Sequence, residues 1–194
     1  MLTGLIGGMG SLPPARAEQD FQTRQWTTQH GLPDDSVQTM HQGRNGCLWV
    51  GTARGLVRFD GARFTVWDRN NTPALRVDDI RLLAEDGDGD LWIGTAAGLV
   101  RKRGGEFNRW VTEDGREAYG GVLSLLSAKD GSVWLISRAG LLRWKAGRFH
   151  LVGGPEHWRD GGIAALCEDA AGTLWAGARR GLVRLGADGL LEDL

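Results

Sequence analysis

Two cysteines among 194 residues are too few for a disulfide framework, and neither has a His or second Cys at metal-ligand spacing. No stretch approaches the roughly 20 apolar residues of a membrane-crossing helix. Charge of one sign is missing too: 23 basic residues face 24 acidic ones, leaving a formal net charge of -1 without like-charged runs. Nucleic acid is therefore not an expected partner, because binding phosphates demands a basic face. His30, His41, His150 and His157 fall in different contexts, with no Ser or Cys nucleophile arrangement beside them. These residues are thus not expected to form an enzyme, and no cofactor or metal is implied.

What is present is one pattern, written four times. Trp49, Trp92, Trp134 and Trp175 each follow a β-branched residue by 12 positions: Val37, Ile80, Val122 and Ile163. Six positions after each tryptophan a Gly-Leu pair begins, at Gly55, Gly98, Gly140 and Gly181. Nine further on stand Phe64, Phe107, Phe149 and Leu190. The period is 43, then 42, then 41, and the variation falls between units. Rigid units of this length on elastic linkers predict an all-β fold, a β-propeller of four four-stranded blades. The blades are expected at about 34–68, 77–111, 119–152 and 160–194.

Within each unit the sequence predicts four short antiparallel strands: one from Val37 and its equivalents, then LWVGT, then GLVRF, then FTVW. Gly46, Gly89, Gly131 and Gly172 share the first turn, so the 31 glycines are mostly hairpin punctuation. Seven of the nine tryptophans occupy second- or fourth-strand columns. Side chains that recur in every blade are expected to fill gaps between blades, since a binding site has no reason to repeat. Asp86-Gly87-Asp88-Gly89-Asp90 begins like a calcium loop, but Leu91 and Ala97 stand where glycine and glutamate are needed; a tight turn accounts for it better. Asn70-Asn71-Thr72 matches a glycosylation acceptor, a short motif of little weight. Cys47 and Cys167 lie in different columns of units one and four, so no bridge is expected.

Residues 1–17 read as a signal peptide, weak or truncated: Ala15-Arg16-Ala17 resembles a cleavage site, yet no basic residue precedes the apolar stretch and four glycines dilute it. The segment at about 21–27, containing Trp26, matches a fourth strand without its first three, an orphan strand. Four blades plus one spare strand suggest an incomplete fragment of a larger ring; the rival is a closed four-bladed ring in which Trp26's strand replaces LLEDL.

WTTQHGLPDDSVQTM, GCLWVGTARGLVRFDG and GDLWIGTAAGLVR resemble the two-component regulator propeller repeat, over about residues 21–190. Unit three departs with VWLIS and unit four with LWAGA. The resemblance implies a periplasmic, ligand-sensing input region. In that family such propellers usually precede a membrane helix and a cytoplasmic histidine kinase or diguanylate cyclase, and some respond to oligosaccharides. It thus implies a parent protein anchored in the inner membrane through segments beyond these, with no output motif in these 194 residues.

Outside the repeat columns and the N-terminal strand, two aromatics remain, Tyr119 and Trp158, in successive inter-blade linkers that should emerge on one propeller face. Arg116, Glu117, His157 and Arg159 surround them, and a ring flanked by such groups suits stacking on a sugar while bonding its hydroxyls. Asn71 and Arg76, in the linker 68–79, join the same face as weaker candidates. The expected partners are an oligosaccharide or other small ligand, and a second copy through the propeller. Two rivals stand beside this. A propeller glycosidase or lyase would need a carboxylate pair, with Asp34, Asp35, Asp78 and Asp79 the repeated acids near that face. A purely structural interaction ring would bind protein alone.

Overall fold

The computed structural model describes residues 23–110, 121–138, 140–154, 162–179, 181–185 and 191–192. They form four antiparallel sheets, each a meander in chain order. The first holds β1 (Val37–Gln42), β2 (Leu48–Thr52), β3 (Gly55–Phe59) and β4 (Phe64–Trp67). The second holds β5 (Ile80–Glu85), β6 (Leu91–Thr95), β7 (Gly98–Arg103) and β8 (Glu106–Arg109). The third holds β9 (Ser124–Ser127), β10 (Val133–Ser137), β11 (Gly140–Lys145) and β12 (Arg148–Gly153). The fourth holds β13 (Ile163–Glu168), β14 (Leu174–Ala178), β15 (Gly181–Leu185) and β16 (Leu191–Glu192). This is the expected four-bladed propeller architecture, with the second and third strands of every blade starting in their repeat columns and β9 starting two residues after Val122.

Local chemistry explains the strand breaks. In the first turn of each blade the glycine sits at φ 81, 83, 81 and 86° (Gly46, Gly89, Gly131, Gly172), a left-handed conformation that side chains resist. The second turn is closed by the threonine of the GT pair. Thr52 Oγ1 donates to the Gly55 carbonyl at 2.9 Å and accepts from the Arg54 N–H at 3.2 Å. Thr95 repeats both bonds with Gly98 and Ala97, at 3.0 and 3.1 Å. Trp110 falls just past β8, yet its N–H still donates to the Leu99 carbonyl at 2.9 Å.

No sheet has a core of its own; apolar side chains gather between sheets. The first cluster joins Trp49 and Leu56 to Ile80, Leu83, Leu91 and Ile93. The second joins Trp92 and Leu99 to Val133, Leu135 and Leu142. The third joins Trp134 and Leu141 to Ile163, Ala176 and Leu185. In every case one blade contributes its tryptophan and the leucine of its Gly-Leu pair, and the next contributes buried residues of its second and third strands. A strand covered on both faces needs apolar residues in succession, and Leu91-Trp92-Ile93 in β6 is such a run, all buried.

Glycine at the fourth position of LWVGT lets blades approach. A Cβ at Gly51 would stand 2.7 Å from the Ile80 carbonyl oxygen, and one at Gly94 3.4 Å from Val122 Cγ1. First strands accordingly meet in sequence, β1 with β5, β5 with β9 and β9 with β13. Among the described residues no contact of comparable extent joins β13 back to β1. Blade four accordingly leaves Leu182 exposed, whereas on the outer face of blade one Val50 and Val57 are buried and only Val37 and Met40 of β1 stand out.

The N-terminal segment differs from expectation. Residues 23–27 pair with no strand; Trp26 packs on Phe59 of β3, ring centroids 5.3 Å apart, because its own blade offers an aromatic column there. A 3-10 turn, Thr28–His30, follows. Both cysteines are free, Cys47 buried and Cys167 exposed. Among the described residues no helix is long and apolar enough to cross a membrane.

Candidate functional site

A meander of four strands puts the inter-blade linkers and the β2–β3 type hairpins at one end, and the remaining hairpins at the other. The linker 68–79 lies at the first end and is built by short polar bonds. Asp68 Oδ1 accepts the N–H groups of Asn70 and Asn71, at 2.8 and 3.0 Å. Asn71 Oδ1 accepts from Asp68 N–H and Thr72 Oγ1, and its Nδ2 donates to the Val66 carbonyl at 3.1 Å. The turn Pro73–Leu75 then sinks Leu75 into the first core cluster. Arg76 follows at φ 55°, a left-handed backbone. Asn71 is thus spent on shaping this linker, while Arg76 lines a small recess with Ala97, Arg109 and Trp110. Tyr119, Trp158, Arg116, His157 and Arg159 lie outside the described residues.

The repeated acids at blade entries are engaged. Asp34 pairs with Arg54 at 3.3 Å, and Asp35 accepts the Thr28 N–H at 2.6 Å. Asp78 pairs with Arg69 at 3.3 Å, and Asp79 with Arg81 and Gln38. Each carboxylate has a positioning job, which argues against a free pair poised for glycoside hydrolysis.

At the opposite end the structure opens clefts between blades. The larger, about 420 Å³, lies between blades one and two and is lined by Arg44, Trp49, Glu85, Asp88 and Lys102. A second of about 220 Å³, between blades two and three, takes Asp130, Ser132, Trp144 and Lys145. In the larger cleft the Lys102 ammonium stands 5.4 Å from the Trp49 ring, 5.8 Å from Trp67 and 5.6 Å from Phe107. Burial there lowers its pKa. Glu85 is buried and accepts the Arg44 N–H at 3.3 Å. His41 Nε2 is 3.8 Å from Glu85, but burial outweighs that attraction and, with Arg44 nearby, pushes the imidazole pKa down. An aromatic wall with cations and one buried carboxylate suits a polar ring-shaped ligand in chemical terms.

The acidic turn is a scaffold. Asp86 Oδ1 accepts the N–H groups of Asp88 and Asp90, and Oδ2 accepts Trp92 Nε1 at 3.0 Å. Asp90 pairs with Arg101, whose guanidinium stacks 4.7 Å from Trp144 and 5.3 Å from Trp92. The Asp86, Asp88 and Asp90 carboxylates do come within 4.8 Å of one another. Arg101 lies against Asp86 and Asp90, and Arg103 against Asp90 at 3.6 Å, which offsets part of the charge of the group. Asp169 repeats the device, taking Trp175 Nε1 at 2.9 Å. That bond and the Thr173 N–H hold its pKa low. Asp130 is pushed up by partial burial, yet Ser132, Lys145 and Arg143 overcome this and hold it well below the usual carboxylate range. Sequence reasoning missed the arginine of Gly-Leu-x-Arg; its signal was recurrence at Arg58, Arg101, Arg143 and Arg184.

Comparisons place these features in context. The profile of the family described as two component regulator propeller matches residues 31–54 and 74–97. Each match runs from the blade entry through the first turn to the end of the second strand. A comparison with curated proteins returns no match. Among solved structures, the extracellular domain of a hybrid two component system from B. thetaiotaomicron is similar at 21% identity, TM-score 0.69, over 89% of this chain and 24% of that one. The extracellular domain of a one component system from B. thetaiotaomicron gives 23% identity and TM-score 0.63, over 93% and 23%. Virginiamycin B lyase from Staphylococcus aureus gives 16% identity and TM-score 0.61, over 84% and 56%. The chain thus spans about a quarter of the two sensor domains, 24% and 23%, and likenesses at such identity speak to the fold. Residues 31–54 and 74–97, in the first and second blades, thus match the model of the two component regulator propeller repeat, and the third and fourth sheets have the same strand order.

Proposed function

We propose that this chain is an extracytoplasmic input region of a signal-transduction protein, binding a small ligand such as an oligosaccharide and passing the event to a histidine kinase or diguanylate cyclase. The observation that carries this reading is the family match across the first two blades, supported by likeness to extracellular domains of sensor systems. A periplasmic site and an inner-membrane anchor for the parent protein belong to the same proposal. Within it, Tyr119 and Trp158 stack on the ligand, Arg116, His157, Arg159 and Arg76 bond it, and Asn71 shapes the neighbouring linker.

The test is binding of a panel of labelled neutral and acidic oligosaccharides, with turnover followed in parallel. Saturable binding without product supports the sensor. Product formation supports the second reading, an enzyme, which the likeness to virginiamycin B lyase keeps in play. Tyr119→Ala and Trp158→Ala are expected to weaken binding while leaving thermal stability nearly unchanged. Trp92→Ala, fully buried in the second cluster, is expected to cost about 3–5 kcal/mol instead. If Trp158→Ala melts the protein as badly, the linker aromatics are packing residues.

A further inference from the structure

The junction between blades one and two breaks the repeat at one aromatic position. Where blades two and three meet, four rings close a box: Trp92 and Trp110 from the leading blade, Trp144 and Phe149 from the following one. Trp144 is the plug, its ring centroid 4.7 Å from Trp92, 4.9 Å from Trp110 and 5.1 Å from Phe149. Column by column, the box between blades one and two is Trp49, Trp67 and Phe107, with Lys102 in the position of the plug. The other blades carry Phe59, Trp144 and Leu185 in that column, so blade two alone puts a charge there.

A lysine stem is thinner than an indole, and the difference shows beside it. Trp92 is sealed, 0% exposed, and does not line the cleft between blades two and three. Trp49 is 6% exposed and lines the cleft of about 420 Å³ together with Leu91 and Lys102. Charge is out of balance in the same place. Blade one has Gly43 and Cys47 where blade two has Asp86 and Asp90. Arg101 therefore finds two carboxylates, while Arg58, in its column, donates to the Cys47 sulfur at 3.0 Å. Trp49 Nε1 lacks the acceptor that Asp86 gives Trp92, and donates to no group among the described residues. The Lys102 ammonium donates to the Gly104 carbonyl and, among the described residues, pairs with no carboxylate. Burial first and then Arg58 lower its pKa, with Asp90 opposing them only in part. Glu85, the buried carboxylate of the cleft, is already engaged by Arg44 and faces His41.

We propose that this cleft is a binding site for a small aromatic carboxylate. The ring lies on the open part of Trp49 and against Leu91, supplying the flat apolar surface that Trp144 supplies one junction along. The carboxylate pairs with Lys102, whose flexible stem lets the ammonium turn from the aromatic wall toward the ligand. Trp49 Nε1 offers a second donor. Arg58 and Lys102 together repel a cationic ligand, and a plain hydrophobe would leave the ammonium without its counter-charge. The site lies at the opposite end of the blades from the linkers and does not rest on the ligand proposed for them.

Isothermal titration calorimetry on the full chain tests this, with phenylacetate and indole-3-acetate as probes. Both are expected to saturate a single site, and indole, acetate and cyclohexylacetate to bind about tenfold more weakly or less, each lacking the charge or the aromatic ring. Lys102→Trp restores the repeat, and is expected to raise the melting temperature and abolish binding. Lys102→Met keeps the stem and removes the charge; it should weaken both carboxylates about tenfold while leaving indole unchanged. Circular dichroism confirms the fold of each variant. Failure of either aromatic carboxylate to saturate, equal affinity for indole and indole-3-acetate, cyclohexylacetate binding as tightly as phenylacetate, or undiminished binding in Lys102→Met would overturn the proposal.

Discussion

Trp92 illustrates how one residue serves fold and charge together. Its indole is fully buried, its Nε1 is taken by Asp86, and the Arg101 guanidinium lies over its ring. Asp86 is 1% exposed and accepts three donors, so Asp86→Ala leaves a buried indole N–H and two turn amides unsatisfied. A loss of about 3 kcal/mol or more is expected by denaturant unfolding, with Asp86→Asn losing less because one acceptor oxygen survives. His41 gives a pH signature. Its pKa is lowered in the fold from the usual 6.5, chiefly by burial. The unfolded chain therefore takes up the proton first as pH falls. This contribution is complete above pH 6.5 and declines below it, toward the lower folded value. Unfolding curves for wild type and His41→Gln at pH 7.5 and 5.5 should show a shallower pH slope in the variant.

At the level of the element, the inner strand is where blades meet. A Cβ at Gly51 would stand 2.6 Å from Thr39 Cγ2 and 2.7 Å from the Ile80 carbonyl, and a backbone atom gives way poorly. Gly51→Ala is expected to cost about 1–3 kcal/mol in a thermal or urea melt. Gly177→Ala, in the same column but meeting only Ala165 at 3.6 Å, should be nearly neutral. Strands were legible in sequence because the columns of Trp49, Gly55 and Phe64 repeat, and repetition averages away local ambiguity. The segment around Trp26 was misjudged for the same reason: one aromatic in a familiar spacing suggested a strand, whereas the ring packs on Phe59. The site was less legible. A repeat reveals what all blades share, while a ligand contact is by nature the exception, and Asn71 was singled out for a polarity that its own linker consumes.

Across the whole molecule, stability is expected to follow a nearest-neighbour law, each blade held by the blades beside it. Blades two and three have two neighbours; blades one and four have one each among the described residues. Amide exchange should therefore be slowest in β6 and β10 and faster in β1 and β13. Uniform protection of all four inner strands in a dilute monomer would contradict this gradient.

Gly51 and Gly94 accept Ile80 and Val122 by the same shape, so the chain has a phase, like a thread on a screw. Excising residues 80–121, one full turn of 42, would deliver Val122 to the seat that Ile80 vacates. Arg44 would then face Ser127 in place of Glu85, forfeiting one rim carboxylate while the apolar fit carries over. Such a shortened protein should fold into three blades and melt only modestly earlier. Excising half that length would set strands against turns and leave nothing that folds. Gain or loss of material in whole turns is the change this architecture tolerates, which makes blade number a quantity that heredity can count up or down.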